Sequence, residues 1–357
     1  MRILCLFLLI TLMSVLPWTA NGQDMDQEIY IPVNESKLYL RLIGNTQGSI
    51  ILNLHGGPGA FSGFDHEFNR HYLEEKYLLA YLDQRGGGKS PATKDTSMLN
   101  MEQFVADLDV VVDSLKAKFP NRPIHLMGAS WGGTLGLLYM ISHQDKITSY
   151  ACISGKADGV YPIKALIDYE ESLAKQHLKQ ASSSADSTIY LNLLSRLDSI
   201  KTHDMDDFYT EVNLLKHDFP KALGFEVYWA NVAARDRAAE LGQDPAYYQR
   251  AHYTKAEFNL AMEKFDFVNG VFRNDPAYNH LNILKQIGDI QKPMLVMQGD
   301  KDYSIGVKQA EMIYKALKGI PKKDKFLKII PNASHNLNME APEPYYATLL
   351  DFFNRYN

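Results

Sequence analysis

The sequence predicts an α/β architecture: a mostly parallel sheet flanked by helices, with a helical segment inserted late in the chain. Three features predict it. Short apolar runs end in glycine-rich loops, stretches of helical spacing separate those runs, and the alternation stops between about residues 156 and 282 before it resumes. Apolar runs of this kind suit strands buried on both faces, and a helix between two of them implies a crossover connection. The 357 residues, 46% hydrophobic and 22% charged, are a globular composition with enough chain to bury a large core. Thirty-seven basic against 42 acidic residues leave a net charge of -5 with no block of Lys or Arg, which excludes a nucleic-acid role.

Residues 1–22 read as a signal peptide. Met1-Arg2 begins with a charge, and the run from Ile3 to Leu16, broken only by Thr11 and Ser14, is too short to span a bilayer comfortably. Ala20 and Gly22 stand at the minus-three and minus-one positions for cleavage before Gln23, so an exported protein, periplasmic or extracellular, is expected. An uncleaved amphipathic anchor is the alternative. No membrane span is expected after cleavage. Cys5 lies in the leader and Cys152 is then alone, so no intramolecular disulfide can form and the fold must rely on its core.

The first part of the core, residues 23–155, opens with two strands, Glu28 to Val33 and Lys37 to Ile43, around Asn34-Glu35-Ser36. Ser49 to Leu54 then runs into His55-Gly56-Gly57-Pro58-Gly59, and Tyr77 to Leu82 into Asp83-Gln84-Arg85-Gly86. Met101 to Phe119 is a helix by spacing, with Phe104, Leu108, Val111, Val112 and Leu115 on one side. The strand Ile124 to Met127 leads into Gly128-Ala129-Ser130-Trp131-Gly132, and Gly133 to Ile141 continues as a helix. Residues 156–282 are read as a helical cap. Residues 283–357 complete the core with a strand at Lys292 to Gln298, another at Lys325 to Ile330, a loop bearing His335 and a final helix after Pro344.

The chemistry centres on Ser130. A G-x-S-x-G pattern between a strand and a helix marks a sharp turn that exposes the serine oxygen, and only small flanking residues let the backbone bend so tightly. A serine hydroxyl attacks a carbonyl only when an imidazole takes its proton and a carboxylate orients that imidazole. His335 lies in a loop just past the last predicted strand, whereas His177, His203 and His217 fall in the helical segment. For the acid, Asp302 is preferred over Asp300, which can instead cap the turn that follows. The oxyanion needs donors. Trp131 supplies one backbone N–H and the loop His55 to Gly59 the other, with Gly57 the choice. Glu226, Trp229, Ala233 and Glu240 recur at helical spacing and could present acids and an aromatic ring to substrate, or simply form a solvated helix side.

Together, His55 to Gly59, Asp83-Gln84-Arg85-Gly86-Gly87-Gly88-Lys89-Ser90 and Gly128 to Gly132 resemble the proline iminopeptidase (prolyl aminopeptidase) branch of the α/β-hydrolase superfamily. The resemblance is specific to about residue 155 and resumes at Gly299 to Asp302 and at His335, followed by Glu340, Pro342 and Glu343. It implies an α/β-hydrolase fold in which Ser130, Asp302 and His335 are nucleophile, orienting acid and base, with Gly57 and Trp131 as oxyanion donors. In that family cap glutamates hold the substrate amine, one of them directly after a tryptophan. Here Trp18, Trp131 and Trp229 are followed by Thr19, Gly132 and Ala230.

Other chemistries fail on spacing. A phosphate-binding loop ending in Gly88-Lys89-Ser90 would need glycine where Asp83 stands. His66 and His71 are five apart rather than four, so no zinc helix is supported, and no dinucleotide fingerprint occurs. No cofactor or metal is implied. The expectation is a serine hydrolase acting through an acyl-enzyme, an aminopeptidase taking proline or another small residue from short peptides. Its rival is an esterase or lipase-like hydrolase of small acyl substrates. A binding protein on an inactive scaffold is a third reading, which intact Ser130, Asp302 and His335 argue against.

Overall fold

The computed structural model describes residues 24–93, 95–202, 212 and 214–357. The proposed leader, residues 1–22, lies outside them. Eight strands form one sheet in the order β1-β2-β4-β3-β5-β6-β7-β8. The strands β1 (Asp24–Val33) and β2 (Ser36–Asn45) make an antiparallel hairpin, in which Val33 pairs with Ser36 and Glu35 turns at φ 55°. β2 is also antiparallel to β4 (Leu78–Asp83). From there β4, β3 (Ile50–Leu54), β5 (Ile124–Ala129), β6 (Ser149–Ile153), β7 (Met294–Gly299) and β8 (Lys325–Ile330) all run parallel. Every residue of β3, β4, β6 and β7 is buried, as central parallel strands require.

Helices cover both faces. On one face lie α1 (Ser62–Asn69), described with the site below, and the C-terminal helix. The other face packs α2 (Met101–Lys118) and α3 (Trp131–His143). The predicted apolar side of α2, from Phe104 to Leu115, is the side that is buried, and the Asn100 side chain caps the helix by accepting from the Gln103 N–H at 2.8 Å. Between β6 and β7 come α4 (Tyr161–Gln180), α5 (Ser184–Thr202), α6 (Phe219–Leu223), α7 (Val232–Leu241), α8 (Pro245–Arg250), α9 (Lys255–Arg273) and α10 (Pro276–Asn279). This segment has an apolar cluster of its own, built on Leu166, Leu197, Leu215 and Leu223. Val268 and Phe272 of α9 instead enter the main core and peg the segment to the sheet. After β7 follow α11 (Gln309–Ala316), α12 (Leu337–Glu340) and α13 (Pro342–Asn354), whose Tyr345, Tyr346, Leu349 and Phe353 cover the face shared with α1.

The glycine-rich loop after β4 is held by two buried carboxylates. Asp83 accepts from the Ser62 N–H and hydroxyl, both at 2.7 Å, from the Lys89 N–H at 2.8 Å and from the Tyr253 hydroxyl at 2.9 Å. Arg85 makes a two-pronged pair with Asp107 of α2, 2.7 Å at each prong. Such a fork fixes orientation as well as charge, so the loop is built to brace the chain. Among the described residues no helix is long and apolar enough to cross a membrane.

Candidate active site

The site is assembled at the carboxyl ends of neighbouring strands, where parallel sheets open crevices for ligands. Ser130 sits between β5 and α3 with φ 56° and ψ -119°, a strained turn at the wall of a cavity. A β-carbon on Gly128 would collide with the Gly132 backbone, and one on Gly132 with the Leu54 carbonyl. The flanking glycines therefore let the turn form. As the first residue of α3, Trp131 has a backbone N–H with no partner inside the helix. Its indole is buried against Phe104, Phe272 and Tyr278, at ring distances of 5.7, 5.0 and 5.6 Å, and donates to Gln84 Oε1 at 2.8 Å.

Gly57, at φ 115°, lies in the loop after β3 and faces the same cavity as Ser130. The loop is locked by His55. Its Nε2 accepts from the Gln84 N–H at 3.0 Å, so Nδ1 carries the proton toward the Gly56 carbonyl at 2.8 Å. Burial pushes the His55 pKa down, which keeps the ring in this neutral state.

Asp302 and His335 come from the loops after β7 and β8. His335 Nδ1 lies 3.1 and 3.0 Å from the two oxygens of Asp302, which is fully buried and accepts further from the Ser304 and Ile305 N–H groups. Asp300 is exposed. The His335 loop is tied to the inserted segment through Glu340, whose carboxylate accepts from the Ser334 N–H at 2.7 Å and from Ala230 and Asn231 N–H at 2.5 and 2.9 Å. Asn336 donates to the Tyr228 carbonyl, and Ser334 to that of Val227.

These bonds correct one expectation. Glu226, Trp229, Ala233 and Glu240 do not form a helix face, because Phe225–Asn231 is an irregular, bent strap and α7 starts only at Val232. The strap's backbone groups bond to the His335 loop instead of to each other. Glu226 pairs with Arg235, Glu240 is exposed, and neither lines the cavity, whereas Trp229 does.

Ser130, Trp131, Gly57, His335 and Trp229 thus share one cavity of about 600 Å³. Residues not singled out in the sequence also line it. Asp65 of α1 hydrogen-bonds Asn53 at 2.7 Å, and burial pushes its carboxyl up to about 6. Lys156, Lys216 and Arg273 are the cavity's cations, and Tyr228 places its ring edge-on to His335 at 5.8 Å. None of them carries a local signal in the sequence: Asp65 comes from α1, Lys156 follows β6, and Lys216, Tyr228 and Arg273 belong to the inserted segment.

A family model described as alpha/beta hydrolase fold matches residues 49–342. The chain belongs to the α/β hydrolase fold family. This hydrolase-fold chain is 24% identical over 311 residues to a proline iminopeptidase of Heyndrickxia coagulans, covering 87% of this chain and 92% of the relative. It is 30% identical over 122 residues to the enzyme of that name from Levilactobacillus brevis, a match that spans only 40% of the relative's length and 34% of this chain. Among solved structures, the proline iminopeptidase-related protein from Thermus thermophilus superposes with a TM-score of 0.63 at 18% identity, covering 93% of this chain and 98% of that one. That likeness is one of fold.

Proposed function

We propose that the protein is an exported serine hydrolase of proline iminopeptidase type, releasing an N-terminal proline or small residue from short peptides. The observation that carries the reading is the His335–Asp302 pair at 3.0 Å beside a cavity that also holds the strained Ser130 turn. His335 Nε2 takes the proton of Ser130 as its oxygen adds to the scissile carbonyl, and Asp302 stabilises the imidazolium that forms. The N–H groups of Gly57 and Trp131 hold the oxyanion. Collapse expels the amine, which leaves with the proton from His335, and the acyl group stays on Ser130. Water then attacks with His335 again as base, the acid departs, and the serine regains its proton. Among the described residues, Asp65 is the cavity carboxylate available to meet the substrate's amine, in place of the family's cap glutamates.

A second reading, an esterase of small acyl substrates, is favoured by the position of Glu226 and Glu240 away from the cavity. One panel separates the two. Mature protein and a Ser130→Ala variant are offered proline anilide, other amino-acid anilides, their N-blocked forms and short-chain nitrophenyl esters. Anilide turnover that vanishes on N-blocking supports the aminopeptidase, and ester turnover alone supports the esterase. If variant and parent behave alike on every compound, the serine mechanism is wrong. Export is tested by N-terminal sequencing of secreted protein, which is expected to begin at Gln23.

A further inference from the structure

Among the described residues the cavity carries a surplus of positive charge that the acyl-transfer chemistry does not use. Lys156, Lys216 and Arg273 line it, and among the described residues no carboxylate forms an ion pair with any of them. The Lys216 ammonium donates to the Ser304 carbonyl at 3.2 Å and stands 5.7 Å from the Tyr228 ring centre. Lys156 lies over the face of Tyr278, 3.7 Å from its centre. The acid acting on Lys156, Asp158, is already engaged: it accepts from the Val160 and Tyr161 N–H groups at 2.9 Å and from Asn282 at 3.3 Å. Aromatic faces and carbonyls are weak substitutes for a counter-ion around half-buried cations.

The electrostatics agree. Burial and the neighbouring Lys216 push Lys156 down to about 7. Burial alone would raise the Tyr228 phenol, yet Lys216 and Arg273 pull it below its ordinary value. The Tyr228 ring also adjoins His335, so this field begins one ring away from the reacting group. Asp65 lies outside it, since the groups acting on its carboxyl are burial, Asn53 and Asp83. The cavity therefore has an acidic lining residue and a separate cationic cluster, a distribution suited to a small zwitterion.

We infer that Lys156, Lys216 and Arg273, with Tyr228, form an anion subsite that binds the free carboxylate of a di- or tripeptide whose scissile bond lies at Ser130. This rests on the reading of Ser130 as nucleophile, and it makes the enzyme select short free peptides over longer or amidated ones. A carboxylate there supplies a counter-charge that none of the described residues provides, through charge-assisted hydrogen bonds.

The test compares prolyl-alanine with its C-terminal amide, which share the scissile bond and differ in one charge. In calorimetric titration of the inactive Ser130→Ala protein, the free acid is expected to bind about ten- to hundredfold tighter than the amide. That ratio should fall toward one when Lys216→Gln or Arg273→Gln is added. In the active protein the same preference should appear as a lower KM for the acid. Equal binding of acid and amide overturns the subsite. Titration with inorganic phosphate tests the rival anion, and phosphate that binds more tightly than prolyl-alanine overturns the peptide assignment. If the acid is preferred in binding but wild-type protein hydrolyses neither peptide, the subsite stands and the proposed hydrolysis fails.

Discussion

Asp300 and Asp302 stand two residues apart after the same strand, yet one is exposed and the other fully buried against His335. A buried carboxylate that accepts from an imidazole and two backbone N–H groups can orient a base; a solvated one cannot. Asp302→Asn should therefore lower kcat by about 10^4 while Asp300→Asn changes it little, measured on whichever substrate the panel identifies. Glu170 of α4 is another residue whose environment decides its state. It is fully buried, neither of its oxygens has a hydrogen-bond partner among the described residues, and burial pushes its carboxyl up to about 9. Between its ordinary 4.5 and about 9 the folded protein holds a proton that the unfolded chain has lost, so folding stability falls as pH rises through that window. Glu170→Leu is expected to stabilise the protein by about 1–3 kcal/mol at pH 8, with a smaller gain at pH 5, in denaturant melts at the two pH values.

Between elements, the site depends on contacts of the sheet's loops with the inserted segment. The Phe225–Asn231 strap touches the His335 loop through Glu340, Asn336 and Ser334. In the proposed mechanism Glu340 does not enter the chemistry but holds the loop that carries His335. Glu340→Ala should lower kcat by about tenfold or more with KM little changed, because a small displacement of a catalytic group is costly. The expected companion result is an unaltered circular dichroism spectrum; a variant that instead raises KM with kcat intact would remove the positioning role. Phe272 makes the second link, joining α9 to the Trp131 indole. Phe272→Ala is expected to cost about 3–5 kcal/mol in urea unfolding, since the cavity would open beneath the nucleophile turn.

In the molecule as a whole, stability comes from apolar packing on both sheet faces and from the braced loop after β4. Cys152 is buried, so it adds no cross-link, and its thiol is pushed up to about 12 by burial. Thiol reagents should leave native activity intact, while denatured protein without residues 1–22 takes up one equivalent at Cys152; rapid native inactivation would contradict this burial.

Local pattern along the chain is enough to specify most of the sheet and the turn at Ser130. The β1–β2 hairpin, β3, β4, β5, β7, β8 and the buried side of α2 are legible because their signals are local: apolar runs, glycines at strand ends and a 3.6-residue spacing. β6, only five residues long and following a buried helix closely, offers no comparable boundary. Packing in three dimensions sets the rest: which aspartate faces His335, that Phe225–Asn231 forms a strap rather than a helix, and that Lys156, Lys216, Arg273 and Asp65 line the cavity. Those outcomes depend on contacts between residues far apart in the chain, where hydrogen bonds and burial across the fold override the local pattern.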